Sequence, residues 1–240
     1  MVYDIASVCK IGGRKVNQDY VACSYADGKL VLAVCDGLGA YENSELASRI
    51  CAERLISELK ACQNVDALSL ANIFKDAHDD IVRARESGDL IGASTTAVCF
   101  YSNGKVACSA HSGDSRIYLL KNGKIAHVSK DHSLAQVAVD KGEITREQLR
   151  DHGDQNKLTR VVGGKFYVLP DVRFYPVLNE GQAVLLCSDG WWKYVYENEM
   201  IEDVFSSVSS EEALCKMERR LLERADEEYD NYSAVLAVVR

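Results

Sequence analysis

The sequence predicts an α+β fold: a four-layer αββα sandwich, two mostly antiparallel sheets packed together with antiparallel helix pairs outside. Three observations predict it. Apolar runs flank the turn signals Asp27-Gly28, Asn103-Gly104 and Asn122-Gly123. Such dipeptides suit the type I′ turn, whose central residues need positive φ, so each marks a hairpin. Helical patterns occur in two blocks, before Thr95 and after Glu197. The strand blocks also outnumber one comfortable sheet, and every apolar face needs a partner.

Val2 to Cys9 reads as the first strand. Tyr20 to Tyr25 and Leu30 to Cys35 form the first hairpin. Ala47, Cys51, Leu55, Leu59 and Cys62 recur at helical spacing, as do Leu70, Phe74, Ala77 and Ile81, with Asp66 as N-cap. Thr95 to Tyr101 pairs with Lys105 to Ala110, and Arg116 to Leu120 with Lys124 to Val128. Thr145 to Gln148 carries part of a capping signature, which predicts a short helix within Ser133 to His152. Leu214, Met217, Leu221 and Ala225 mark the last helix, and Ser233 to Val239 the last strand.

The chain has 240 residues and only two prolines, Pro170 and Pro176, with no linker-like tract or repeat. One domain over residues 1–240 is expected. Lys and Arg total 28 against 36 Asp and Glu, a net charge of −8. That balance argues against nucleic acid and anionic membranes as partners, since both need a basic footprint. Nine cysteines, an odd number without CxxC spacing, read as reduced and buried. No run approaches a membrane span of about 18 apolar residues, and no signal peptide is evident. A cytoplasmic protein is expected, and no feature demands more than a monomer.

Carboxylates recur at strand ends. Leu30 to Cys35 runs into Asp36-Gly37, Ala183 to Ser188 into Asp189-Gly190, and Asp230-Asn231 precedes Ser233 to Leu236. In antiparallel neighbours the end of one strand lies beside the start of the next, so Asp36, Asp189 and Asp230 can converge. Two charges 4 Å apart repel by about 4 kcal/mol at an effective dielectric of about 20. Protonation or bound cations relieve that, and hard oxygen ligands suit Mg²⁺ or Mn²⁺. Asp-Gly at a strand end is also ordinary turn chemistry, so spacing alone leaves both readings open.

The motifs together resemble the type 2C metal-dependent Ser/Thr protein phosphatases, the PPM family, in their compact bacterial form. Arg14-Lys15-Val16-Asn17-Gln18-Asp19 matches RxxNxD, and Asp36-Gly37-Leu38-Gly39 matches DGxG. Ser94-Thr95-Thr96, Gly113-Asp114-Ser115-Arg116, Asp131-His132-Ser133, Leu158-Thr159-Arg160, Ser188-Asp189-Gly190 and Asp230-Asn231 follow in order. The resemblance implies two Mg²⁺ or Mn²⁺ ions bridged by Asp36, with the Gly37 carbonyl on the first. Asp189 and Asp230 complete the second site, and Asp19 acts near the first ion through a water. Asp114 with Asp189 forms a third, weaker site. Arg14 holds the phosphate, and a water or hydroxide bridging the metals attacks phosphorus.

The implied reaction is hydrolysis of phosphoserine and phosphothreonine in proteins, in bacterial kinase–phosphatase signalling. The partners are then phosphorylated targets of a Ser/Thr kinase. The stretch from about 133 to 164 resembles the family's flap, with Asn156 and Arg160 as minor contributors. Leu38 departs from members with a His there that acts as general acid. Ala40 replaces a frequent glycine. His111, His132 and the Trp191-Trp192 pair are read as structural, and His78, His127 and His152 as exposed or incidental. Two alternatives stay open: a non-catalytic phosphoprotein-binding member of the fold, and a two-metal hydrolase of small phosphoesters.

Overall fold

The computed structural model describes residues 2–38, 43–87 and 92–240. Gly39 and Ala40 of the DGxG region lie outside the described residues. The chain opens with β1 (Tyr3–Lys10), then the hairpin β2 (Asp19–Ala26) and β3 (Lys29–Asp36). Asp27 (φ 52°) and Gly28 (φ 73°) make its two-residue turn. Helices α1 (Ser44–Ala61) and α2 (Ala67–Glu86) follow. Asp66 caps α2: its Oδ1 accepts from the Ser69 amide at 2.7 Å, and the Asp66 amide donates to Ser69 Oγ at 2.8 Å. Cys62, assigned to the stripe of α1, is instead its C-cap residue.

The next hairpin, β4 (Ala97–Ser102) and β5 (Ala107–Ser112), differs from expectation. Ser102 pairs with Ala107 across a four-residue loop rather than a two-residue turn. Asn103 Oδ1 accepts from the amides of Lys105 and Val106, so this asparagine builds the turn with its side chain. The hairpin of β6 (Arg116–Lys121) and β7 (Lys124–Val128) does turn on Asn122 (φ 53°) and Gly123 (φ 67°).

Helices α3 (Leu134–Asp140) and α4 (Arg146–Leu149) come next. Thr145 and Gln148 form a full reciprocal capping box on α4, more complete than the sequence reading allowed. An unanticipated edge strand, β8 (Asp171–Tyr175), lies between the two prolines. It is half-exposed, so it lacks the apolar run that marks a central strand. Then follow β9 (Ala183–Cys187), the one-turn α5 (Asp189–Trp192), α6 (Glu197–Ser206), α7 (Ser210–Arg224) and β10 (Tyr232–Val239). Ala225, assigned to the last helix, caps α7.

The sheets run β1-β10-β9-β6-β7 and β2-β3-β4-β5-β8, and every strand pairing among the described residues is antiparallel. Period-2 alternation sorts the side chains into layers. Leu30, Leu32 and Val34 meet Val184, Leu186, Val235 and Ala237 between the sheets. Val31, Ala33 and Cys35 face Leu55, Leu59, Phe74 and Ile81 of α1 and α2. Leu185, Leu236 and Val238 face Trp191, Met200, Leu214, Met217 and Leu221. Central strands are therefore apolar on both faces, and each fully buried Leu or Val contributes about 1.5–3 kcal/mol.

Two smaller expectations are corrected. Cys9, Cys23 and Cys215 are exposed and Cys62 is half-buried, while Cys35, Cys51, Cys99, Cys108 and Cys187 are buried; all nine are free thiols. The exposed three sit on helix or strand faces that point away from the core. His78 is buried, not incidental: its Nδ1 accepts from the Gly163 amide at 3.1 Å and ties α2 to the end of the flap-like segment.

Candidate active site

Asp36 is the last residue of β3, and the following polar segment braces it. Its carbonyl accepts from the Thr96 amide at 2.8 Å and Thr95 Oγ1 at 2.9 Å, and its amide donates to Thr96 Oγ1 at 3.1 Å. Thr96 Oγ1 also meets Ser115 Oγ at 2.8 Å, which links Asp36 to the β5–β6 turn carrying Asp114. Gly37 must be glycine: an added Cβ would stand 2.4 Å from the Ser44 carbonyl oxygen. Asp19 opens β2 directly opposite Asp36.

The other sheet supplies Asp189 and Asp230. Asp189 opens α5 at the end of β9, and Asp230 precedes β10, the antiparallel neighbour of β9. Adjacent strands thus explain that pair, as expected. Asp36 joins them only because the two sheets stack. Ser188 Oγ bridges the sheets by donating to Asp19 Oδ2 at 2.7 Å while accepting from the Ser233 amide at 2.9 Å.

Arg14 reaches the site on a loop clamped by Asn231. Asn231 Nδ2 donates to the carbonyls of Ile11 (2.7 Å) and Val16 (3.0 Å), and its Oδ1 accepts from the Gln18 amide at 2.8 Å. Asn231 appears in the sequence only as a motif letter; the structure gives it this anchoring task. Arg14 Nε and Nη2 donate to the two Asp230 oxygens at 3.1 and 3.0 Å. The pair is half-exposed, so its net stabilisation is modest.

Arg14, Asp36, Gly37, Asp114, Asp189 and Asp230 line one cavity of about 370 Å³ at the end of the sandwich. Asp19 stands behind Asp36 and is buried. Sequence reasoning named Gln18, Thr96 and Leu158 only within motifs and gave them no place on the cavity wall that they line. It also missed Gln155, whose Nε2 approaches Asp114 Oδ2 at 3.5 Å, and Lys193, whose Nζ lies 2.6 Å from Asp189 Oδ2. Lys193 was findable, since residues four apart on a helix share a face. Gln155 carried no signal, because its place depends on how the 133–164 segment folds back.

Burial raises the Asp36 carboxyl well above its ordinary value, and Asp19, Asp189, Asp114 and Asp230 add to the effect. Asp114 is raised by burial and by Asp189. Burial pushes Asp19 up to about 7, with Ser188 offsetting part. Asp189 goes the other way: burial raises it, but Lys193 more than reverses that. One edge of the core therefore holds carboxylates short of positive charge. Asp19 Oδ1 is buried without a hydrogen-bond partner. An all-oxygen donor set with an orphaned carboxylate oxygen fits hard divalent cations such as Mg²⁺ or Mn²⁺.

Two other places compete on inspection and fail on chemistry. A larger cavity of about 510 Å³ lies beside Arg146, Arg150 and Glu197. Its two innermost arginines are already paired: Arg150 with Glu197 at 2.9 Å, and Arg116 with Asp131 at 2.8 Å. His111, His132 and Asp171 bring three ligand-type atoms within 4.8 Å of one another. The hydrogen bonds fix the ring protons there. His111 Nε2 donates to the Lys130 carbonyl, and His132 Nδ1 accepts from the Gly113 amide, which leaves the proton on His132 Nε2. That nitrogen has no lone pair for a metal. The stacked rings, 4.6 Å apart, instead brace the Gly113-Asp114 turn and the root of the flap, as their structural reading anticipated. Trp191 and Trp192 are packed as expected, and Trp192 Nε1 donates to the Asp114 carbonyl at 2.9 Å.

Known proteins share this fold. The serine/threonine phosphatase Stp of Listeria monocytogenes is 31% identical over 208 residues, covering 83% of this chain and 77% of that protein. The crystal structure of serine/threonine phosphatase Stp1 from Staphylococcus aureus superposes with a TM-score of 0.87 at 26% identity, covering 100% of this chain and 96% of that one. The catalytic domain of the serine/threonine protein phosphatase PstP, solved with two manganese ions, superposes with a TM-score of 0.84 at 26% identity over 99% of each chain. A family model described as protein phosphatase 2C matches residues 10–237, and the chain belongs to that family.

Proposed function

We propose that this protein hydrolyses phosphoserine and phosphothreonine in other proteins, with a pair of Mg²⁺ or Mn²⁺ ions held by Asp36, Asp189 and Asp230. The observation that carries the reading is the meeting of those three carboxylates with Arg14 and Asp114 around one cavity. The family match and the similarity to bacterial proteins named serine/threonine phosphatases support it. Residues 1–240 act as one catalytic unit.

Asp36 would contribute to both ions, the Gly37 carbonyl and Asp19 to the first, and Asp189 and Asp230 to the second. Two such ions, when bound, polarise the phosphate and lower the pKa of the attacking water. The chain's own residues supply orientation. Arg14 is held by Asp230 through Nε and Nη2, which leaves Nη1 for a phosphate oxygen. Leu38 puts an apolar wall where a general acid stands in some relatives. Asn156 and Leu158 also line the cavity, which supports a role for residues 133–164 in substrate access. Arg160 stays outside it and pairs with Asp171.

No helix among the described residues is long and apolar enough to cross a membrane. We place the protein in the cytoplasm as a monomer acting on targets of a bacterial Ser/Thr kinase, by its similarity to bacterial serine/threonine phosphatases. The test is release of phosphate from phosphothreonine peptides with Mn²⁺ and with EDTA. Turnover that depends on the divalent ion is expected. Turnover that survives EDTA would overturn the reading, and a folded protein inactive with every divalent ion would favour a binding role.

A further inference from the structure

Asp189 opens α5 and Lys193 follows it by one turn, so both side chains leave the same helix face. The Lys193 ammonium lies 2.6 Å from Asp189 Oδ2 and 3.3 Å from Asn156 Oδ1 of the flap-like segment. The side chains of Lys193 and Asp189 are only 20% and 10% exposed, so this is not a loose surface pair. Asp114, which would share a further ion with Asp189, lies within electrostatic reach of the same ammonium.

We propose that Lys193 is the built-in cation of the Asp114–Asp189 pair: its ammonium takes the place of a third divalent ion. The inference rests on the two-metal reading above. Among the described residues, five carboxylates (Asp19, Asp36, Asp114, Asp189 and Asp230) outnumber the two side-chain cations, Arg14 and Lys193, by three. Two divalent ions more than offset that deficit, and a third would leave a strong positive excess.

Two carboxylates plus waters make a weak Mg²⁺ or Mn²⁺ site, because such ions give up their own waters reluctantly. A tethered ammonium has no such cost and is always at hand. It also repels any further cation placed a few ångströms away. What it lacks is Lewis acidity: an ammonium donates hydrogen bonds but does not activate a water. Lys193 therefore neutralises Asp189 and, through Asn156, ties the flap-like segment to the site, without adding a catalytic ion.

The test is the number of Mn²⁺ ions bound per chain, by equilibrium dialysis with elemental analysis and by anomalous scattering from Mn²⁺-soaked crystals. The wild type is expected to bind two ions, with none between Asp114 and Asp189. Lys193→Asp is expected to take up one further ion. Lys193→Met, similar in length and uncharged, carries the same expectation if the Asp variant does not fold. A third ion in the wild type, or no gain in a folded Lys193 variant, would overturn the inference. Fewer than two ions in the wild type would overturn the two-metal reading beneath it, a result distinct from three.

Discussion

Asp19 stands directly opposite Asp36 where β2 begins and β3 ends, so two carboxylates share one buried end of a sheet. Without a counter-charge they repel. Asp36→Asn should therefore stabilise the metal-free protein, by about 1–2 kcal/mol, while cutting turnover at least about 10³-fold. Asp189→Asn should also abolish turnover but destabilise the metal-free protein, by about 3 kcal/mol, because it strands the Lys193 ammonium. Thermal melts in EDTA alongside phosphatase assays check both. The same sign of stability change in the two variants would contradict this charge distribution.

Arg14 grips Asp230 with two nitrogens, and its side chain is half-exposed at the cavity mouth. Arg14→Ala should raise KM for a phosphothreonine peptide about 10- to 100-fold with a smaller change in kcat, the worth of one charge-assisted contact. Arg14→Lys should recover only part, since an ammonium lacks the planar fork. Steady-state kinetics decide it, and unchanged KM in Arg14→Ala would remove this residue from phosphate binding.

His132 titrates at about 4 in the folded protein, against an ordinary 6.5. Burial is the main cause, with His111 and Arg160 adding, and Asp171 offsets only part. The folded state binds this proton less well than the unfolded chain. Its contribution to stability is complete above pH 6.5 and is lost as pH falls toward 4. The full swing is on the order of 3 kcal/mol. His132→Asn keeps an acceptor for the Gly113 amide but does not titrate. Urea midpoints at pH 7.5 and pH 5 should therefore fall less steeply in this variant. An identical slope would rule His132 out as the acid-sensitive group.

Gly190 and Gly28 separate two reasons for a glycine after aspartate. A Cβ on Gly190 would stand 2.0 Å from the Asn231 carbonyl oxygen, whereas one on Gly28 would meet open space. Gly190→Ala should cost more than about 3 kcal/mol, because β10 would have to move. Gly28→Ala should cost about 1 kcal/mol, from its positive φ alone. Denaturant unfolding of the two variants compares them directly. Equal losses would show that β10 yields.

Much of this was legible beforehand where the signal was local. Asp27-Gly28 and Asn122-Gly123 turn as expected because positive φ is a property of those residues themselves. Asn103-Gly104 does not, because the asparagine side chain found a better use in bonding two amides. β8 was invisible because a half-exposed edge strand carries no apolar run. His78 looked incidental because its partner, the Gly163 amide, comes from a distant segment.

The order of the motifs and the alternation of apolar residues determined the sandwich, and with it which strand ends carry carboxylates. Local periodicity and turn chemistry act over a few residues, so a linear text can hold them. Only the stacking of the two sheets decided that Asp36 meets Asp189 and Asp230, and only the pairing of β1 with β10 decided that Asn231 clamps the Arg14 loop. Those facts depend on distances between segments far apart in the chain. They exist only once burial has removed the water that would otherwise screen the charges.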